Sequence, residues 1–315
     1  MKVFSVSLLV LIFLNILNVN AGFLIPNLIA FTDNYINFLS EKNVSKDIKY
    51  GGSSSGTLDV FYNKKDTSNL KPVVIFVHGG AWIFGNKYEY SKIGSLLVRE
   101  DYVGVLPNYV LFPRGSIDDM VDDLYKAIKW TYNNISKYGG NKNEIILTGH
   151  SAGAHIAALT AFKASLDIKN NGKTLGSLPK LKKLVLFNGP YDFDDYDPSR
   201  IFGYTDVESG LSERLVSILV NNKDVSPTDL LKKFKDGSVE SLGAPVITLF
   251  AADKDQLVPH SSSNNLSKQI RRVSPSTTLN YVFSKGNNFD HFTLILGAIS
   301  NNNELEQMFM DLCEM

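Results

Sequence analysis

Ile145 to Phe162 reads I-I-L-T-G-H-S-A-G-A-H-I-A-A-L-T-A-F. The apolar run Ile145-Ile146-Leu147 has the length of a buried strand, and Ala154 to Phe162 is a small-residue helical stretch. Between them Gly149-His150-Ser151-Ala152-Gly153 forms the G-x-S-x-G elbow. In such an elbow a strand turns sharply into a helix and presents a serine hydroxyl at the apex. Ser151 is the candidate nucleophile. The Ala152 N–H, at the positive end of the following helix, is a candidate donor to a developing oxyanion. A bare G-x-S-x-G arises by chance in about 0.1 of chains this long, so the remaining parts of a serine hydrolase have to be found elsewhere.

The second part lies upstream. Val73 to Val77 is a continuous apolar run, as expected of a strand covered on both faces. It feeds directly into His78-Gly79-Gly80-Ala81-Trp82. The two glycines leave backbone N–H groups unobstructed, so Gly79 and Gly80 join Ala152 as candidate oxyanion donors.

A serine hydroxyl needs a histidine to take its proton and a carboxylate to orient that imidazole. Of five histidines, His78 belongs to the glycine turn and orders it. His150 adjoins the serine but points away, and His155 is one turn into the helix as a packing residue. His260 comes too early. His291 follows the last expected strand, in the loop Gly286-Asn287-Asn288-Phe289-Asp290-His291-Phe292, and is the candidate base. Asp253 and Asp255 both follow the strand Val246 to Ala251. Asp255, with Gln256-Leu257-Val258-Pro259 behind it, is preferred, with Asp253 as the alternative; Asp290 is a sequence neighbour that rarely faces the ring edge.

Apolar runs also mark strands at Leu58 to Tyr62, read as an edge strand, and at Val103 to Leu106, Leu184 to Phe187 and Thr278 to Phe283. Ser116 to Tyr138 is a helix, opened by an S-x-x-D cap and stopped by Gly139-Gly140. A helix is also expected over Ser261 to Val273. Strands alternating with helices imply an α/β fold with a mostly parallel sheet of seven or eight strands and helices on both faces. Ligands bind beyond the carboxyl ends of such strands, where Ser151, Asp255 and His291 all fall.

The domain reading is a targeting segment 1–21, an N-terminal segment 22–56 of which residues 32–56 are polar and end in a flexible entry loop, and a catalytic domain 57–315. A cap is inserted around 188–244, with a helix near Ser212 to Val220. Lys2, the apolar run Val6 to Leu17 and the small residues Val19-Asn20-Ala21 have the layout of a signal peptide. An uncleaved anchor is the rival, because apolar residues resume at Phe23 and Leu28. Asn15, Asn18, Asn20, Pro26 and Asn27 interrupt the span of about twenty residues an anchor needs. The secretory pathway is therefore the expected location, secreted or associated with the endoplasmic reticulum or its membrane. The sequons at Asn43, Asn134 and Asn265 fit that route. A net charge of zero and a hydrophobic share of 44% describe an ordinary globular protein. They argue against nucleic acid as a partner. Cys313 is the single cysteine, so no internal disulfide forms. No metal-ligand spacing is present, and the chemistry calls for no cofactor.

Several of these stretches resemble the prenylcysteine α-carboxyl methylesterase group of the α/β-hydrolases. They are Val73 to Asn86 (V-V-I-F-V-H-G-G-A-W-I-F-G-N), Asn108-Tyr109, Phe112 to Met120 (F-P-R-G-S-I-D-D-M), Tyr138-Gly139-Gly140 and Gly149 to Ala157. The likeness is strong over residues 70–160. It implies the α/β-hydrolase fold and hydrolysis of a prenylcysteine methyl ester, a small hydrophobic substrate, by Ser151, His291 and Asp255. A broad carboxylesterase, an arylformamidase and a non-catalytic binding protein on a hydrolase fold are the alternatives.

Overall fold

The computed structural model describes residues 32–194, 215, 217–219 and 222–315. Segment 1–21, the centre of the expected cap and most of the helix expected near Ser212 lie outside the described residues. The strands are β1 (Val44–Lys49), β2 (Thr57–Phe61), β3 (Lys71–Val77), β4 (Val103–Pro107), β5 (Gly140–His150), the short pair β6 (Lys169–Asn170) and β7 (Lys173–Thr174), β8 (Lys183–Phe187), β9 (Val246–Ala251) and β10 (Thr278–Phe283). The helices are α1 (Ser91–Arg99), α2 (Ile117–Asn134), α3 (Ala152–Ser165), α4 (Pro227–Lys232), α5 (His260–Val273), α6 (Thr293–Ile299) and α7 (Asn303–Glu314). Residues 32–40 are also helical.

Eight strands form one sheet in the order β1-β2-β4-β3-β5-β8-β9-β10. β1 and β2 pair antiparallel, as do β2 and β4; every other neighbouring pair is parallel. Side chains alternate across a strand, and β3 serves two cores at once. Val73, Ile75 and Val77 enter the layer built with α2, α3 and α5. Val74 and Phe76 enter the opposite layer with α1, α6 and α7. Helices on both faces explain why Val73 to Val77 of β3 reads as an unbroken apolar run.

Local signals behave as their chemistry requires. Ser116 caps α2, its Oγ accepting from Asp119 N–H at 3.1 Å while the Asp119 carboxylate accepts from Ser116 N–H at 2.9 Å. α3 is buried from Ala152 through Ala164, so it shows no polar face. Its small side chains let it lie close to β5 and α2.

Two expectations are corrected. Leu58 to Tyr62 is not an edge strand: β2 lies between β1 and β4, and Leu58, Asp59, Val60 and Phe61 are all buried. Asp59 gave the segment its alternating look, but its carboxylate is ion-paired with the buried Lys87 ammonium, so the charge marks no solvent face. The entry region 32–56 is not a flexible loop throughout, since it supplies the helical residues 32–40 and strand β1. α1 was not anticipated, although Ile93, Leu96 and Leu97 recur at helical spacing and are buried.

Candidate active site

β3, β5, β8, β9 and β10 run parallel, so their carboxyl ends share one rim. The loops leaving β3, β5, β9 and β10 carry the glycine turn, Ser151, Asp255 and His291 respectively.

Ser151 has φ 55° and ψ −124°, a combination that ordinary residues seldom adopt and that the elbow imposes. Its N–H donates to the Phe187 carbonyl at 2.9 Å, which ties the apex to β8. A Cβ on Gly153 would lie 2.2 Å from the Val77 carbonyl oxygen, so only glycine fits where α3 passes the end of β3. Ala152 opens α3 and is buried.

The glycine turn lies against the serine. A Cβ on Gly79 would come within 3.2 Å of Ser151 Cβ and 3.1 Å of the His150 carbonyl oxygen. Gly80 follows, its carbonyl accepting from Ile83 N–H at 3.1 Å and Phe84 N–H at 2.8 Å. His78 orders the turn as expected. Its Nδ1 is 2.8 Å from the Gly79 carbonyl oxygen, its ring stacks on Tyr109 at 4.5 Å, and the Tyr109 hydroxyl donates to the His78 carbonyl at 3.0 Å. Burial lowers the His78 pKa to about 4, which keeps the ring neutral.

His291 Nδ1 and Asp255 Oδ2 are 2.6 Å apart, and both side chains are almost sealed from solvent. Asp255 Oδ1 accepts from the N–H groups of Leu257 and Val258 at 2.9 and 2.8 Å. One oxygen therefore fixes the carboxylate and the other meets the imidazole. Asp253, the alternative, does something else. Its oxygens accept from Gly286 N–H and Phe289 N–H, each at 2.9 Å, and hold the loop that carries His291. Asp290 turns to its own helix start, accepting from the N–H groups of Phe292 and Thr293 at 2.9 and 2.8 Å.

The other histidines separate cleanly. His260 is exposed, its ring against Phe283 at 5.2 Å. His155 is more than packing: its Nδ1 accepts from the Trp82 indole at 3.0 Å, and its Nε2 donates to the Val225 carbonyl at 2.6 Å. It links the glycine turn to Val225, just before α4. His150 Nε2 donates to the His291 carbonyl at 2.9 Å, and their rings are 4.9 Å apart. Asn188, which sequence reasoning missed, donates from Nδ2 to the same carbonyl at 2.9 Å. Its Oδ1 accepts from Ala252 N–H at 2.9 Å. A polar residue immediately after an apolar strand was the available signal; in the structure it takes a φ of 49°.

The sequon asparagines lie elsewhere. Asn43 precedes β1, Asn134 ends α2 with Nδ2 on the Trp130 carbonyl at 2.9 Å, and Asn265 on α5 donates to Asp192 at 3.0 Å.

Residues 58–270 match the BD-FAE family. The chain belongs to that family. Proteins similar to the chain include an isoprenylcysteine alpha-carbonyl methylesterase of Arabidopsis thaliana, 31% identical over 242 residues covering 77% of this chain and 56% of that one. Esterase LipC of Mycobacterium tuberculosis is 26% identical, covering 73% of this chain and 55% of that one. This BD-FAE chain thus spans little more than half the length of those relatives. Esterase B from Lactobacillus rhamnosis, in a phosphonate-inhibited crystal structure, superposes with a TM-score of 0.63 at 17% identity, covering 89% of this chain and 91% of the other. The fold is the α/β-hydrolase fold, and the motif likeness to the isoprenylcysteine methylesterases is met by relatives of that name.

Proposed function

We propose that the chain is a serine carboxylesterase in which Ser151 attacks the ester carbonyl while His291 takes its proton. Asp255 holds the imidazole with Nδ1–H toward the carboxylate, leaving Nε2 as the base, and balances the charge that forms. The N–H groups of Gly79, Gly80 and Ala152 stabilise the oxyanion, each such donor typically worth about 10²-fold or more. His291 then protonates the leaving alcohol, and water clears the acyl-enzyme by the same route. The observation that carries this reading is the 2.6 Å contact between His291 and Asp255 at the rim that also bears the strained Ser151 elbow.

The substrate that fits the relatives best is a prenylcysteine methyl ester. The apolar sequence Val6 to Leu17 supports entry to the secretory pathway and membrane association, although no described helix is long and apolar enough to cross a membrane. Purified protein treated with a fluorophosphonate is expected to be labelled at Ser151 and to turn over a prenylcysteine methyl ester faster than an aryl formamide. Labelling that survives Ser151→Ala would remove the nucleophile. Faster formamide turnover would move the substrate class.

A further inference from the structure

The helical residues 32–40 are inside out. The side turned to the protein is polar: Asn37 Nδ2 donates to Ser91 and Ser95 hydroxyls at 3.3 and 3.0 Å, Lys92 N–H donates to Asn34 Oδ1 at 3.0 Å, and Ser95 donates to Glu41 at 2.7 Å. The side turned outward carries Tyr35, Ile36 and Leu39, which are 39%, 52% and 56% exposed. Spacings of three and four residues put these on one face. A helix docked in water places its polar and apolar faces the other way round. Among the described residues the exposed large apolar side chains are these three with Leu70, Phe84 and Met315, so half of them fall on one short helix.

We propose that this face lies on a lipid bilayer surface and that it holds the mouth of the candidate active site beside the lipid. The proposal rests on the reading of the N-terminal segment as membrane-directed. Phe23, Leu24, Ile25, Leu28, Ile29, Ala30 and Phe31 lead straight into the helix, and cleavage after Ala21 would leave them in place. Pro26 and Asn27 apart, residues 23–31 are apolar, which is more apolar sequence than Ile36 and Leu39 could cover. A bilayer interface satisfies both at once. Three side chains are also too little for a stable contact between two copies, which buries about 800 Å² on each partner.

The face connects to the site through the short turn that carries Tyr88 and Tyr90. Tyr35 meets Tyr88 edge-on at 5.6 Å, and Phe38 lies 6.0 Å from Tyr88. Tyr88 belongs to the short turn Lys87–Tyr90, where the Tyr90 ring stacks 6.4 Å from His78. Phe84, four residues before Tyr88 in the glycine turn, is itself exposed. A hydrophobic ester dissolved in the bilayer would meet the site along this side.

Full-length protein carrying Ile36→Cys and an environment-sensitive fluorophore tests the face; Cys313 is buried and competes little for label. With phosphatidylcholine vesicles the fluorophore is expected to shift to the blue and to be quenched by spin-labelled lipid, while the same probe at Leu70→Cys does neither. Ile36→Lys with Leu39→Lys is expected to slow hydrolysis of a long-chain ester held in vesicles by about tenfold and to leave a short water-soluble ester unaffected. Vesicle-bound protein whose probe at position 36 stays in water overturns the face but leaves the membrane-directed segment standing. Protein that stays in solution overturns both. A probe already dry without vesicles overturns the proposal too, with sedimentation telling a second copy from the chain's own segment.

Discussion

Asp255 and His291 are bonded through one carboxylate oxygen at 2.6 Å, while the other oxygen is held by the backbone of Leu257 and Val258. Two residues earlier, Asp253 makes no contact with the ring and braces the loop on which the ring stands. The two acids support the same imidazole by different means, so their substitutions should fail differently.

Asp255→Asn keeps the shape but permits the wrong imidazole tautomer. kcat is expected to fall by about 10³ to 10⁴ with KM little changed. Asp253→Asn loosens the 286–289 loop and is expected to cost about tenfold or less, with a lower melting temperature. Steady-state kinetics on a soluble ester separates them. Equal losses in kcat would mean that Asp255 has no special link to the base.

Acid stability follows from buried groups. Burial lowers His78, His150 and His155 to about 4, 3 and 4, so all three stay neutral when folded and take up a proton on unfolding below pH 6.5. Their folded values are depressed, so their contribution is complete above pH 6.5 and is lost as pH falls. Glu89 acts the other way. Burial raises its pKa to about 7, so the folded chain holds a proton that the unfolded chain releases above about 4.5. Near pH 5 the net uptake on unfolding from these four groups is about two protons, falling to about one by pH 6.5. Glu89→Gln is expected to steepen the loss of stability toward acid to about three protons and to stabilise the chain above pH 7. Urea unfolding at a series of pH values measures the slope, and a variant slope no steeper than the parent's would contradict this assignment.

Much of this was legible because it depends on local sequence. The Ser151 elbow, the Ser116 cap and the unbroken apolar run of β3 are each specified within a few residues. The residues behind Asp255, Leu257 and Val258, supply the N–H groups that its carboxylate occupies. What escaped depends on partners distant in the chain. Asp59 looks like a solvent-facing residue until Lys87 arrives from the far side of β3, and Asn188 is an ordinary loop residue until the His291 carbonyl meets it. The inverted face of residues 32–40 escaped for the opposite reason, since its polar side is the buried one.

The Lys87–Asp59 pair offers a test of that hidden charge. Lys87 is buried and bonded to Asp59, with a second contact to exposed Asp47 at 2.7 Å. One Asp59 oxygen already lacks a partner. Lys87→Met strands the buried carboxylate and is expected to cost about 3 to 5 kcal/mol. Adding Asp59→Leu should recover most of that loss. Chemical denaturation of the parent, both single variants and the double variant gives the coupling, and a double variant as unstable as Lys87→Met would show that the pair is not the source.

The His291 carbonyl accepts two donors, His150 Nε2 and Asn188 Nδ2, both at 2.9 Å. A carbonyl oxygen has two lone pairs, so losing one donor leaves the group satisfied and the loop anchored. Losing both orphans a buried acceptor, at about 1 to 3 kcal/mol, and frees the backbone that carries the imidazole. His150→Leu and Asn188→Gly are therefore each expected to lower kcat less than about tenfold; glycine retains the φ of 49° at position 188. The double variant is expected to lose far more than the product of the two, with a coupling of about 1 to 3 kcal/mol in kcat/KM. KM should stay near the parent value, because neither side chain is expected to touch substrate. If the two effects simply multiply, or if KM rises while kcat holds, the shared carbonyl is not what keeps His291 in register with Asp255.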